Sequence, residues 1–314
     1  MKPPRYEPML ATRWPRPFSD DGWLFEPKWD GIRGIVIWDG RDISIRTRND
    51  TEVSDRYPEL ADPGGFRPCV FDGEIVAFDD RGRPSFERLQ QRMHRTGGRG
   101  AAHGVGFIAF DLLHDGEPLL SAPMEERIAR LEALGLRPPY ATVAPRQGAG
   151  EALWELVVDR DLEGMVAKRL GSPYRPGVRS PDWRKIHHLH TVKAVVGGFT
   201  PGERGRAATF GALLVGLRDG VALRWIGAVG TGFSDQALGS IRESLDEIRV
   251  EGSPFHHDPE IPKATWVEPR LVALVEYANW TAAGRLRRPV FKGFTDDDPE
   301  GITWEAEGPL EGRE

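Results

Sequence analysis

Glu26-Pro27-Lys28-Trp29-Asp30-Gly31-Ile32-Arg33 is the stretch from which the rest of this chain can be read. A lysine with an aspartate two residues on, a glycine in the turn and an arginine five residues on has the make-up of a covalent nucleophile for phosphorus. Lysine attacks only as the free amine, a form favoured by nearby cations or by desolvation. Arg33 is one such cation. Asp30 can orient the amine or help hold a metal ion. Gly31 lacks a Cβ, so backbone there can pass close to a phosphate or a sugar. The same string also reads as a solvated Lys/Asp/Arg turn after a strand, and alone it does not choose between the two.

Further strings follow it: Phe71-Asp72-Gly73-Glu74-Ile75-Val76, Ile108-Ala109-Phe110-Asp111, Glu163-Gly164-Met165-Val166-Ala167-Lys168 and Trp183-Arg184-Lys185-Ile186. Taken singly, Glu74 and Glu163 read as strand-end carboxylates in surface ion pairs, and Phe110 reads as core.

Around these strings the N-terminal region alternates β and α. Residues 23–27 form a strand running into the Lys28 turn, and 34–38 and 43–47 flank Asp39-Gly40, a hairpin signal. Apolar runs at 68–78 and 105–113 are two more strands. Ile128, Leu131 and Leu134 have helical spacing behind Pro123, and 151–159 is a second short helix. A boundary falls near His190. Beyond it come short strands at 192–200, 211–217 and 221–229. A helix capped by Ser234 carries Leu238, Ile241, Leu245 and Ile248. A long final strand is expected at 265–278. Short strands plus one helix in this length fit an OB-fold barrel. The expected fold is therefore α+β, with one domain at 1–190, an OB-type domain at 191–300, and a disordered acidic tail at 301–314.

The chain has 314 residues and a formal net charge of −6. That length accommodates two domains. No stretch has the apolar length to span a bilayer, and the start lacks the apolar run of a signal peptide, so the expected location is cytoplasmic. The single cysteine, Cys69, rules out an intrachain disulfide framework or a Cys-based zinc site and reads as a small buried hydrophobe. A negative balance argues weakly against a general nucleic-acid coat but not against a local basic face. Between positions 81 and 99 stand six arginines and one acid, Glu87. The segment reads equally as a phosphate-contacting surface, with Arg83, Arg88 and Arg92 as candidates, or as a solvated loop.

The five strings, in this order, resemble those of the covalent nucleotidyltransferases, a superfamily of ATP-dependent DNA ligases, RNA ligases and mRNA capping enzymes. Pro84-Ser85-Phe86, Leu89-Gln90-Gln91-Arg92 and Phe210-Gly211-Ala212-Leu213-Leu214 are most similar to the small ligases of bacterial end joining, of the ligase D and ligase C type. The resemblance runs from about Pro8 to about Asp297. It implies a nucleotidyltransferase domain followed by an OB domain, with ATP and Mg²⁺ (or Mn²⁺) as cofactors. It further implies nicked or broken duplex DNA as substrate, a monomer working near the nucleoid, and a Ku-type end-binding partner on a separate protein.

Roles carry over position by position. Lys28 matches the nucleophile that takes AMP. Glu26 stands where the family contacts adenine. Arg33 matches an arginine near the ribose and the nick 5′-phosphate, and Arg48 one on phosphate and ribose. Glu74 matches the acid on the ribose hydroxyl, Phe110 the aromatic on the purine, and Glu163 the metal-binding acid. Lys185 matches the lysine on the α-phosphate, where its charge would also favour the free amine of Lys28. Lys168 closes the fourth string and is grouped with the ATP-binding residues, as is Arg287. Two departures stand out. His187 occupies a usual lysine position, which removes a phosphate-facing charge at neutral pH. After Leu286-Arg287-Arg288-Pro289-Val290-Phe291, the last motif ends Thr295-Asp296-Asp297-Asp298, without its usual arginine and lysine, so slow self-adenylation is expected. Competing readings are an RNA ligase or capping guanylyltransferase, and a DNA-end-binding module impaired in self-adenylation.

Overall fold

The structure is a computed structural model that describes residues 3–64, 67–79, 82, 84–93, 104–257 and 259–309, with the backbone alone at 87, 91–93 and 204. It divides into two compact units, Met1–His188 and Leu189–Glu314.

The first unit is two five-stranded sheets. One contains β1 (Leu10–Arg13), β2 (Trp23–Pro27), β8 (Arg146–Gln147), β9 (Gly164–Arg169) and β10 (Arg179–His187), in the order β1-β10-β9-β2-β8. The other contains β3 (Ile32–Trp38), β4 (Ile43–Thr47), β5 (Cys69–Ala77), β6 (Val105–Asp115) and β7 (Tyr140–Thr142), in the order β4-β3-β5-β6-β7. All pairings are antiparallel except β1 with β10 and β6 with β7. The sheets face each other across one apolar layer. Leu24 and Trp183 come from the first sheet, and Ile35, Ile37, Val70, Val76, Ile108 and Phe110 from the second.

Helix α3 (Gly150–Asp159) covers the outer face of the first sheet through Leu153 and Val157, whose i, i+4 spacing gives it one apolar stripe. Helix α2 (Met124–Ala133) packs on the second through Met124, Ile128 and Leu131. Every residue of β6 is buried, which explains its continuous apolar run. A polar group there needs a partner. Asp111 receives Arg127 Nε at 2.8 Å and Nη2 at 3.0 Å, while Arg127 Nη1 donates to Ala122 O and Ser172 O. Cys69 is fully buried, and burial pushes its thiol up to about 12.

The second unit has one seven-stranded sheet. Its strands are β11 (His190–Pro201), β12 (Phe210–Asp219), β13 (Ala222–Val229), β14 (Arg249–Val250), β15 (Thr265–Val267), β16 (Val272–Tyr277) and β17 (Val290–Thr295). Bulges bend β11, which pairs with β12 along one edge and with β16 and then β15 along the other. Helix α4 (Asp235–Glu247) is capped by Ser234, which accepts from Ala237 N. It adds Leu238, Ile241 and Leu245 to the sheet's core. Among the described residues no helix is long and apolar enough to cross a membrane.

Three expectations change. The long strand at 265–278 is two strands, because Pro269 has no N–H for a ladder and the chain turns at 268–271. The arginine-rich segment contains a helix, α1 (Phe86–Met93), whose Leu89 is fully buried. Residues 301–309 are folded rather than a tail. Ile302 enters the core, and α5 (Trp304–Glu307) is capped by Thr303, whose hydroxyl accepts from Ala306 N. Residues 310–314 lie outside the described residues.

Candidate active site

Residues 28–31 are the whole connection between β2 of one sheet and β3 of the other. Lys28 N–H donates to Gly164 O at 2.9 Å, which pins the turn to the start of β9. A Cβ on Gly31 would stand 2.2 Å from Ile75 O and 2.8 Å from Glu74 Cγ. The glycine is thus demanded by β5 of its own fold, rather than by the approach of a ligand as the sequence reading had it.

Lys28 Nζ donates to Glu163 Oε2 at 2.5 Å, and both side chains are mostly covered. Glu163 Oε1 lies 3.9 Å from His187 Nδ1, so the departure from lysine puts an imidazole on the acid that holds Lys28. Lys185 and His187 are two residues apart on β10 and share a face. Burial first, then the charges of Lys28, Arg179 and Arg48, lower the Lys185 pKa. Arg48 is exposed at the end of β4 and contributes to that crowd of cations. Asp30 is half-buried in the same turn as Lys28. Burial pushes the Glu74 carboxyl up to about 8, although Lys28 and Arg33 pull the other way and Glu163 and Asp72 add to the rise.

Deeper between the sheets lie one buried ion pair and one partly buried. Lys168 Nζ sits 2.8 Å from Glu26 Oε1, donates to Phe110 O at 2.8 Å, and lies 4.4 Å above the Phe110 ring. Burial raises the Glu26 pKa, and Lys168 opposes it. Glu26 Oε2 is buried without a protein partner. An ionisable oxygen with an open acceptor position suits a purine amino group, so the residues present fit a nucleotide.

Arg33 directs Nε and Nη2 at the two oxygens of Asp72, each at 2.6 Å, and Nη2 also at Met9 O. Burial works against its charge, but Asp72 more than restores it and the guanidinium pKa is raised. Tyr174 OH donates to the same Asp72 at 2.6 Å, and Arg33 stacks over Phe110 at 4.6 Å. The sequence reading had Arg33 turned to ribose and phosphate. The structure commits these donors to Asp72 and Met9. Asp72, Tyr174 and Trp183 join the site without being among the sequence candidates. Asp72 and Trp183 stand inside strings already singled out, and Tyr174 carried no local signal.

The remaining candidates lie elsewhere. Arg287 belongs to the second unit, where its N–H donates to Asn279 O and its carbonyl accepts from Ala278 N. Arg88 is on α1, with Nη1 directed at Phe78 O. Arg83 and the side chain of Arg92 lie outside the described residues. In the last motif Asp297 accepts from Lys193 Nζ at 2.6 Å. Asp298 caps the 3-10 turn Pro299–Gly301 through Glu300 N, and Glu300 pairs with Arg218.

Against this geometry, the family described as ATP dependent DNA ligase domain matches residues 8–187, and ATP dependent DNA ligase C terminal region matches 206–298. The chain belongs to the ATP-dependent DNA ligases. It is 37% identical over 317 residues to the multifunctional non-homologous end joining protein LigD of Mycolicibacterium smegmatis, covering 97% of this chain and 40% of that protein. The chain thus spans about two fifths of the length of the first curated relatives it matches. A crystal structure of the ligase domain of Mycobacterium tuberculosis LigD superposes with a TM-score of 0.55 at 34% identity, covering 95% of this chain and 98% of that domain. The prophage-derived DNA ligase-like protein LigB of Bacillus subtilis is 28% identical over 292 residues, which is 91% of this chain and 98% of LigB. The α+β, sheet-rich ligase fold expected from the sequence is that of this family, and the second unit fits its C-terminal region.

Proposed function

We propose that this chain seals nicks or breaks in duplex DNA by three phosphoryl transfers through Lys28. The observation that carries the reading is Lys28 Nζ held at 2.5 Å by Glu163 on the short connection between two sheets, among Glu74 and Lys185. In the first transfer the Lys28 amine attacks the α-phosphorus of ATP, an N–P bond forms and pyrophosphate leaves. Glu163 stands within hydrogen-bond reach of the proton that the amine must lose. In the second, a DNA 5′-phosphate oxygen takes the AMP and frees Lys28. In the third, a 3′-hydroxyl attacks the 5′-phosphorus and AMP leaves. Such transfers depend on in-line positioning and charge neutralisation.

Glu26 Oε2 supplies the open acceptor for adenine, with Lys168 holding Glu26 and Phe110 together beneath the base. Glu74 with its raised pKa keeps a carboxyl proton at neutral pH and can donate to a ribose oxygen. Lys185 and Arg48 face the phosphates. Glu163 would hold a divalent ion, Mg²⁺ or Mn²⁺, whose charge would neutralise phosphate oxygens. Arg287 remains a candidate ATP contact. Arg83, Arg88 and Arg92 remain candidate DNA contacts. The partner in cells would be a Ku-type end-binding protein, and the setting the nucleoid.

Intact mass after incubation with Mg²⁺ and ATP or GTP tests the reading, with Lys28→Ala as control. The expected result is an AMP adduct from ATP alone, absent in the variant. A GMP adduct, or an AMP adduct on Lys28→Ala, would sink it.

A further inference from the structure

In the second unit two guanidiniums sit over tryptophan rings. Arg224 Cζ is 3.7 Å from the centre of Trp304, and Arg285 Cζ is 4.3 Å from the centre of Trp225. Arg224 is exposed on β13, where it alternates with the buried Leu223. Arg285 is half-buried in the turn that Thr281 closes by donating its N–H to Arg285 O and accepting from Arg285 N. Leu286 N–H donates to Ile226 O, which fastens that turn to β13. Gly284 has a φ of +67°, and a Cβ there would stand 3.0 Å from Trp304 and 3.8 Å from Arg224 Nη2, so turn, indole and guanidinium are packed as one piece.

Neither arginine makes an ion pair or a side-chain hydrogen bond to protein among the described residues. The two are near enough for Arg224 to depress Arg285, after the larger effect of burial. Two like charges close together favour an anionic partner. Cation–π attraction to the indoles holds the two guanidiniums without using their N–H donors. A guanidinium fork presents parallel donors matched to phosphate oxygens.

We propose that Arg224 and Arg285 form a phosphate-gripping pair that holds the sugar–phosphate backbone of the DNA duplex. The inference rests on the ligase reading above and adds to it a contact surface on the second unit. Trp225 and Trp304 act as floors that fix the forks; their faces are covered by guanidinium and are not offered to bases. Because phosphate contacts carry no sequence information, this grip is blind to sequence.

The test is fluorescence anisotropy with nicked duplex DNA and the full chain, over a salt series. Each phosphate contact contributes about 0.9 to the slope of log affinity against log salt. The double variant Arg224→Gln/Arg285→Gln should therefore have a slope shallower by about 2. Over a fourfold rise in salt the wild type should lose about twelvefold more affinity than the variant. Arg224→Lys/Arg285→Lys keeps both charges and should restore most of the slope, which separates charge from misfolding. An unchanged slope in the glutamine variant overturns the proposal. So does a variant that loses binding to polyglutamate while holding DNA as before, since the pair would then serve an acidic protein. If the wild type forms no AMP adduct or binds no nicked duplex, it is the ligase reading that fails.

Discussion

The first unit buries some of its charges in pairs, whereas no buried charged residue belongs to the second among the described residues. Between the two sheets, Lys168 and Glu26 are both nearly inaccessible, and Arg127 and Asp111 are wholly so. In the second unit the Lys193–Asp297 pair is more than a third exposed on each side. Buried charges are locked, since each one stripped of its partner is left without water. Exposed pairs are screened and replaceable. Around Lys28 the first unit is therefore set by burial, while the second can exchange charges at little cost. That is the kind of region in which the last motif could lose two cations and remain folded.

The largest expected effect comes from breaking a locked pair. Asp111→Ala strands Arg127 and should destabilise the first unit by about 3–5 kcal/mol. Differential scanning calorimetry should find its transition lowered by roughly 10 °C. A shift of a degree or two would show that water reaches Arg127 and that the contrast between the units is overdrawn.

The next test is of pH. Glu74 has its pKa raised to about 8 in the folded chain, from an ordinary value near 4.5. The folded state then binds the extra proton between those values, so stability should fall as pH rises from about 5 to about 8 and level off above. Glu74→Gln removes that slope and should gain on the order of 4 kcal/mol relative to the parent at pH 8.5. Parallel stability–pH curves for the two proteins would refute the assignment.

A third test reinstates cations in the second unit. Thr295→Arg with Asp298→Lys should speed lysine adenylation about tenfold, close to 1.4 kcal/mol in barrier. An unaltered rate of AMP adduct formation would mean that other groups, such as Lys292, Arg287 or Arg288, already fill the role. The smallest effect should come from Lys193→Ala. Removing a surface partner of Asp297 should cost about 0–1 kcal/mol, and a loss of several kcal/mol in urea unfolding would show the pair to be structural.

What could be read in the sequence was local. Lys28 stands out by its own string, whereas Glu74, Phe110, Glu163 and Lys185 are candidates only through the order of the strings they stand in. The reach of Tyr174 to Asp72 spans 102 positions, and that of Arg33 to Asp72 spans 39. No window of strand or helix periodicity contains such a pair, so Arg33 was given to ligand when its fold had claimed it. Gly31 shows the same limit, because the neighbour that forbids a side chain is Ile75. The folding of 301–309 was legible in principle, since Thr303 ahead of Trp304 is a cap signal, but the acidic composition concealed it. The break at Pro269 was legible too, and was missed by reading apolar content ahead of backbone chemistry.

The turn at residues 28–31 has an evolutionary consequence. It joins two sheets with four residues and no slack. Lys28 N–H is tied to Gly164 O and Gly31 abuts Ile75 O, so an added residue would displace one anchor or the other. Other connections between strands can grow or shrink, as surface loops commonly do. Relatives of this chain should thus diverge freely in length at such surfaces while this spacing stays fixed, so that the lineage accumulates its history around a suture that cannot be let out.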